Sequence, residues 1–147
     1  MRVTGEALER LKRQFKRRKP VLIHKLNNHR CILCGAEANS YHHLVPLSYS
    51  AAYLEGVNSS CNLVPCCLGP ERWCHFRLNG VSYCFLSVNR NLYGKLPLKV
   101  LAGLIRQWIE LHRDELKEKK AAELKPYMKV KKLILCGNEI LAQFERR

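Results

Sequence analysis

Two histidines stand side by side in Tyr41-His42-His43-Leu44-Val45-Pro46, and a histidine and an asparagine stand four apart in His75-Phe76-Arg77-Leu78-Asn79. On a helix, side chains at i and i+4 lie one above the other on one face, so both can reach one ion. Neutral imidazole is a common ligand for transition metals, and an amide oxygen suits harder ions such as Mg²⁺. A third ligand from a strand, His42, would leave coordination positions open for water and a phosphate oxygen. Such open positions separate a catalytic centre from a structural one. With one of the paired histidines on the metal, the other is free to take a proton, and an unperturbed pKa near ~6.5 suits a general base at neutral pH. The carbonyl of Asn62, side chain or main chain, is a candidate acceptor for that ring's far N–H. These parts meet the needs of phosphodiester hydrolysis: a nucleophilic water, neutralised phosphate charge and help for the leaving oxygen.

Cysteines bracket the histidines. Cys31-Ile32-Leu33-Cys34-Gly35 has the form of a metal knuckle, in which one tight turn offers two sulfurs to a tetrahedral ion and Gly35 supplies the positive φ such turns often need. One Cys-x-x-Cys is half a site, so a second pair is required from Cys66, Cys67 and Cys74. Cys84 and Cys136 stand alone and read as ordinary buried thiols. The Met1-Arg2-Val3-Thr4-Gly5 start lacks the apolar run of a signal peptide, and no apolar stretch approaches membrane-spanning length. A reducing compartment is therefore expected, cytoplasmic or nucleoid-associated, where a Cys-x-x-Cys more often binds metal than forms a disulfide.

The 147-residue chain carries a formal charge of +14. The excess is concentrated early: residues 1 to 30 hold ten basic side chains against Glu6 and Glu9, and between residues 19 and 109 the only acids are Glu37, Glu55 and Glu71. A field of this sign attracts polyanions, because neutralising phosphates releases their condensed counterions. Arg13 and Arg17 on a basic helix, with Arg72 and Arg77 around the His75 segment, are the candidate phosphate contacts.

The expected elements follow from periodicity. Residues 4 to 18 form a basic helix with Leu8, Leu11 and Phe15 on one face, started at Thr4 and ended by Pro20. A linker with weak strand character follows to residue 30, with His24 and His29 as surface residues. Tyr41 to Leu47 and Asn62 to Pro65 are short strands separated by a loop. Trp73 to Asn79 makes about two helical turns capped by Gly80, with Trp73 and Phe76 read as core or insertion packing and not as stacking platforms. Val81 to Val88 is rich in strand formers and is expected to be a strand. Pro97 opens a long helix with Leu98, Leu101, Ile105, Trp108 and Leu111 on one face. Glu115 and Lys119 add an i,i+4 pair. Residues 129 to 135 fit strand or helix equally, and Asn138 to Phe144 is a candidate last helix.

Taken together, the residues resemble the HNH endonuclease family over roughly residues 31 to 79, about a third of the chain. The resemblance rests on Cys31/Cys34, His42-His43-Leu44-Val45-Pro46, Asn62-Leu63-Val64, Cys67 with Cys74, and His75 with Asn79. It implies an α+β fold whose ββα-metal core (31–80) is stapled by a four-cysteine Zn²⁺. An N-terminal basic helix and linker (1–30) and a C-terminal strand plus mainly helical extension (81–147) flank that core. It also implies His43 as general base, Asn62 as its orienting residue, and His42, His75 and Asn79 as ligands of a catalytic Mg²⁺ or Mn²⁺. The products would be 5′-phosphate and 3′-hydroxyl ends, and the partner double-stranded DNA, with a homodimer or larger complex compatible. Two departures stand out. Six residues separate Cys67 from Cys74, where the family pattern has two, and this makes Cys66 a rival ligand. Asn79 occupies the place of a final histidine. The reading from another class is a zinc-binding nucleic-acid module without catalysis, or a nuclease-fold subunit of a larger DNA-targeting assembly.

Overall fold

The computed structural model describes residues 3–25, 29–49, 51–54, 56–69 and 73–145. It is an α+β arrangement of helices with two small antiparallel sheets. Helix α1 (Gly5–Lys25) is followed by strands β1 (Ser40–His43) and β2 (Leu63–Cys66), then helices α2 (Cys74–Val88) and α3 (Leu98–Leu111). Two single-turn helices, α4 (Arg113–Leu116) and α5 (Ala121–Leu124), lead to a hairpin of β3 (Val130–Cys136) and β4 (Glu139–Phe144). Among the described residues no helix is long and apolar enough to cross a membrane.

β1 and β2 pair in unbroken register, Ser40 with Cys66 through His43 with Leu63. Pro65 fits because its missing N–H costs this two-stranded ladder little, and its carbonyl still accepts a bond from the Ile32 amide at 3.0 Å. That bond ties the knuckle to the sheet.

The segment expected to be a strand, residues 81 to 88, is instead the continuation of α2. The reason is visible in which residues it buries: Leu78, Val81, Ser82, Phe85 and Leu86 recur at helical spacing. β-branched and aromatic residues are compatible with a helix when packing selects that period. Gly80 is consequently no cap. A Cβ there would lie 3.2 Å from the Cβ of Ala121, so the glycine lets α5 approach α2. At its far end, buried Asn89 donates to the carbonyls of Phe85 (3.0 Å) and Met128 (2.9 Å) and accepts from the Val130 amide (2.9 Å). One side chain thus ends α2 and aims β3.

α3 buries Leu101, Leu104, Ile105 and Trp108 as its spacing demands, with the indole N–H donated to the Tyr127 carbonyl at 3.0 Å. Leu111, expected on the same face, is 68% exposed, because the helix ends there. Residues 138–144 form β4 and not a helix. Gly137 (φ 62°) and Asn138 make a two-residue turn, and Gln107 of α3 clamps β4 by bonding both Ile140 O and Ala142 N. Cys136 lies exposed on this hairpin, and Cys84 is only partly buried.

α1 runs through Pro20 to Lys25, beyond the expected stop and through part of the expected linker. A proline removes one backbone bond from a helix and crowds the preceding turn, and here the helical backbone continues past it. Val3 and Leu11 bury with Val57 in a small apolar cluster separate from the main core. Substituting Gly80→Leu should overpack the α2–α5 contact and lower the unfolding free energy by about 1–3 kcal/mol. Urea or thermal unfolding reads this, and an unchanged midpoint would show that the close approach is not a constraint.

Candidate metal centre and histidine site

The knuckle forms because the Cys31 amide bonds the Ala36 carbonyl (2.7 Å) and the Gly35 amide bonds the Cys31 carbonyl (3.0 Å), with Gly35 at φ 77°. The turn points the amides of Leu33 and Cys34 at the Cys31 sulfur, at 3.4 and 3.5 Å. Cys67 follows β2 and Cys74 opens α2. The Sγ atoms of Cys31, Cys34, Cys67 and Cys74 all lie within 4.8 Å of one another, close enough to hold one metal ion. Four sulfurs at this separation suit a tetrahedral ion closed to further ligands, hence a structural role.

Cys66 is not in this group. Adjacent strand residues face opposite ways, and Cys66 is turned into the core. Burial, then the charges of Cys31 and Cys67, push its thiol up to about 12. Burial also raises Cys34, but the Ala36 backbone and the neighbouring sulfurs outweigh it and bring that thiol down to about 7. Burial, the charge of Cys31 and the bond from Cys34 hold Cys74 well above the ordinary thiol range. The uneven values describe sulfurs competing for protons, a competition that a shared cation removes by taking all four as thiolates.

The six-residue interval between Cys67 and Cys74 is anchored at both ends. Asn39 holds its first residue with two bonds, Nδ2 to Leu68 O (3.0 Å) and Leu68 N to Oδ1 (2.8 Å). At the other end the His75 amide donates to the Cys67 carbonyl at 3.1 Å. Cys74 and His75 are thereby held at the end of β2.

His42 and His43 leave β1 on opposite sides, as strand alternation requires. His42 is buried against α2, where its Nε2 is 2.9 Å from Ser82 Oγ and its ring meets that of His75 edge-on at 5.5 Å between centroids. His75, Asn79 and Ser82 occupy successive turns of one α2 face. Burial, then the charges of His75 and His43, keep the pKa of His42 well below the ordinary value, so the ring is neutral. Its Nδ1 is buried with no hydrogen-bond partner among the described residues. In the tautomer that donates Nε2–H to Ser82, Nδ1 carries the lone pair, which is the state a metal ligand needs.

His43 faces α1. Its ring lies 4.5 Å from that of Phe15, and its Nε2 donates to Asn58 Oδ1 at 2.8 Å. Asn58 Nδ2 in turn donates to Leu11 O (3.2 Å) and Gln14 Oε1 (2.8 Å). Burial lowers the His43 pKa to about 4 against the Asn58 bond, which acts to raise it, and the His75 charge lowers it further. His75 thus bears electrostatically on both imidazoles.

The amide that orients His43 is Asn58, not Asn62. Asn62 is fully buried and spends its side chain on the backbone: Oδ1 accepts from Val45 N (2.8 Å), and Nδ2 donates to Val45 O and Val57 O (2.9 Å each). It braces the chain leaving β1 against the chain entering β2. No spacing rule points to Asn58, since a loop residue fifteen positions from its histidine is placed by the path of the loop.

Arg13 and Arg17 are exposed on α1. A groove of about 430 Å³ runs beside them, lined by Arg10, Leu11, Gln14, Arg17 and Leu54. Gln14 joins it to the Asn58–His43 network. Arg77 is partly buried, with Nη1 donated to the Leu116 carbonyl, so it is partly committed to the fold. Arg72 lies outside the described residues, as does the side chain of His24. Trp73 and Phe76, expected to pack in the core or against the insertion, are not core residues: they are 60% and 68% exposed, and insertion residues 70–72 lie outside the described residues.

Two substitutions separate the roles. Cys67→Ser should lose one tightly held ion per chain and Cys66→Ser should keep it, read as metal content of the reduced, purified protein; equal loss would place Cys66 in the cluster. Asn62→Ala, which orphans buried backbone groups, should cost roughly 2–4 kcal/mol of stability, measured by urea unfolding, and a fully stable variant would show that the brace is dispensable. Compared with protein-family models, with curated proteins and with solved structures, the chain returns no match in any of the three, so assignment rests on these residues and their geometry.

Proposed function

We propose that this chain is a metal-dependent endonuclease of the HNH kind that hydrolyses DNA phosphodiester bonds, with a structural Zn²⁺ on Cys31, Cys34, Cys67 and Cys74. The observation that carries the reading is the meeting of His42 with His75 on the α2 face, where a buried Nδ1 is left without a partner among the described residues. A polar nitrogen buried that way is costly unless a ligand completes it. The antiparallel β1–β2 pair followed by α2 is the order of elements that a ββα-metal core requires.

In this reading His42, His75 and Asn79 would hold a divalent ion such as Mg²⁺ or Mn²⁺, which supplies charge neutralisation at the scissile phosphate and at the departing 3′ oxygen. Ser82 fixes the His42 ring. Asn58 takes the Nε2–H of His43 and so leaves the lone pair on Nδ1. That nitrogen would accept a proton from the attacking water as its oxygen bonds phosphorus and the P–O3′ bond breaks; the departing 3′ oxygen takes a proton from solvent, giving a 5′-phosphate and a 3′-hydroxyl. The low pKa of His43 keeps it unprotonated at neutral pH, as an acceptor must be. Arg10, Arg13 and Arg17 of α1 supply the positive surface for the DNA backbone.

One observation favours a second reading, a zinc-stapled nucleic-acid-binding module or assembly subunit without catalysis: Phe15 covers His43. A binder has no need of an accessible base. His43→Ala separates the two. In Mg²⁺ or Mn²⁺ buffer with plasmid, linear and single-stranded DNA, the variant should lose cleavage by a factor of about 10² or more while keeping DNA affinity and zinc content. Cleavage equal to the parent protein would sink the nuclease reading.

A further inference from the structure

Trp73 and Phe76 lie at the start of α2 and flank His75 in sequence. They are 60% and 68% exposed and meet edge-to-face at 6.1 Å. A pair of large aromatics is a costly thing to leave in water on a chain that buries its other tryptophan, Trp108, completely. Beside Trp73 opens a groove of about 230 Å³ lined by Leu33, Cys34, Trp73, Cys74, Arg77 and Lys117. Among the described residues its lining offers two cations, Arg77 and Lys117, the latter in a solvent-exposed pair with Asp114 at 3.5 Å that a phosphate can replace, and no carboxylate lines the groove itself. An apolar protein partner would find cations at the mouth of the groove, and an acidic helix would find an indole in its wall. A nucleotide matches both, offering a flat base for the indole and a phosphate for the cations.

We infer that Trp73, with Phe76 beside it, is a stacking site for unpaired nucleobases, with the adjoining phosphate taken by Arg77 and by Lys117 in exchange for its exposed partner Asp114. Bases inside a duplex present only their edges, so an aromatic face of this kind selects DNA with a single-stranded segment. The inference deepens the nuclease reading and rests on it for its meaning, since it names the substrate class: nicked, flapped or otherwise unpaired DNA in place of intact duplex. Base stacking is also tolerant of sequence, because every base has a π face. The site would therefore select for strand structure and leave sequence choice to other surfaces.

The chain has two tryptophans, and only Trp73 is exposed, so intrinsic fluorescence reports on the site directly. The full chain is titrated with a short oligothymidylate and with a duplex of equal length, without added divalent metal, so that binding is read apart from cleavage. Oligothymidylate is expected to quench the Trp73 emission. By fluorescence anisotropy of labelled DNA, Trp73→Ala should weaken single-strand binding by about tenfold to a hundredfold. Trp73→Phe should restore most of that loss, and duplex affinity should stay within about twofold. Retained Trp108 emission and zinc content show that the variants are folded. Single-strand affinity unchanged in folded Trp73→Ala, or an equal loss for both DNA forms, would overturn the stacking site. A parent protein that sediments as a dimer while Trp73→Ala is monomeric would overturn it too, assigning the aromatics to a second copy. Failure of the His43→Ala cleavage test would remove the nuclease and leave this binding result standing, so the two failures are distinguishable.

Discussion

Like charges brought together repel, and the sulfurs of Cys31, Cys34, Cys67 and Cys74 are brought within 4.8 Å of one another from three separate segments. A cation held there would resolve the repulsion between the knuckle, the end of β2 and the start of α2, and in doing so would fix where α2 begins. That fixes much else. His75 is the next residue after Cys74, Asn79 and Ser82 come at helical intervals on the same face, and His42 packs against them. The metal-binding energy of such a cluster is folding energy for the parts it joins.

The second constraint is the two-sidedness of β1. Neighbouring histidines on a regular strand cannot share one face, and the unbroken pairing with β2 keeps them apart: His42 belongs to α2, and His43 belongs to α1 and the loop at Asn58. The site is therefore built across a strand instead of in a pocket. Bonds from Ser82, Asn58 and Asn62 hold the two imidazoles and the strand that carries them in place.

Local chemistry is readable from the chain; long-range packing is not. The knuckle, both short strands of the first sheet, the Cys67–Cys74 pairing with the His75 helix behind it, and the Trp108 helix all come from spacing and turn residues. The choices that packing decides are the ones the chain conceals. Residues 81–88 carry strand formers yet bury a helical stripe, because α3 and α5 lie on α2. Residues 138–144 carry helix formers yet pair with β3, because Gln107 clamps their backbone. Gly80 has the look of a stop and is a point of contact. Asn62 stands out in the sequence, but its partners are backbone atoms that no spacing reveals, and Asn58 is indistinguishable there from any loop asparagine.

The N-terminal helix is one element shared between two tasks. Its Leu11 carbonyl and Gln14 amide hold the asparagine that aligns His43, and its Phe15 sits on the same ring. Alignment and enclosure are therefore supplied by the same turn of helix. A shorter chain lacking that turn would gain a solvent-open imidazole and in the same stroke lose the bonds that aim it. Exposure of His43 and its alignment therefore trade against each other: truncating the helix cannot change one without the other.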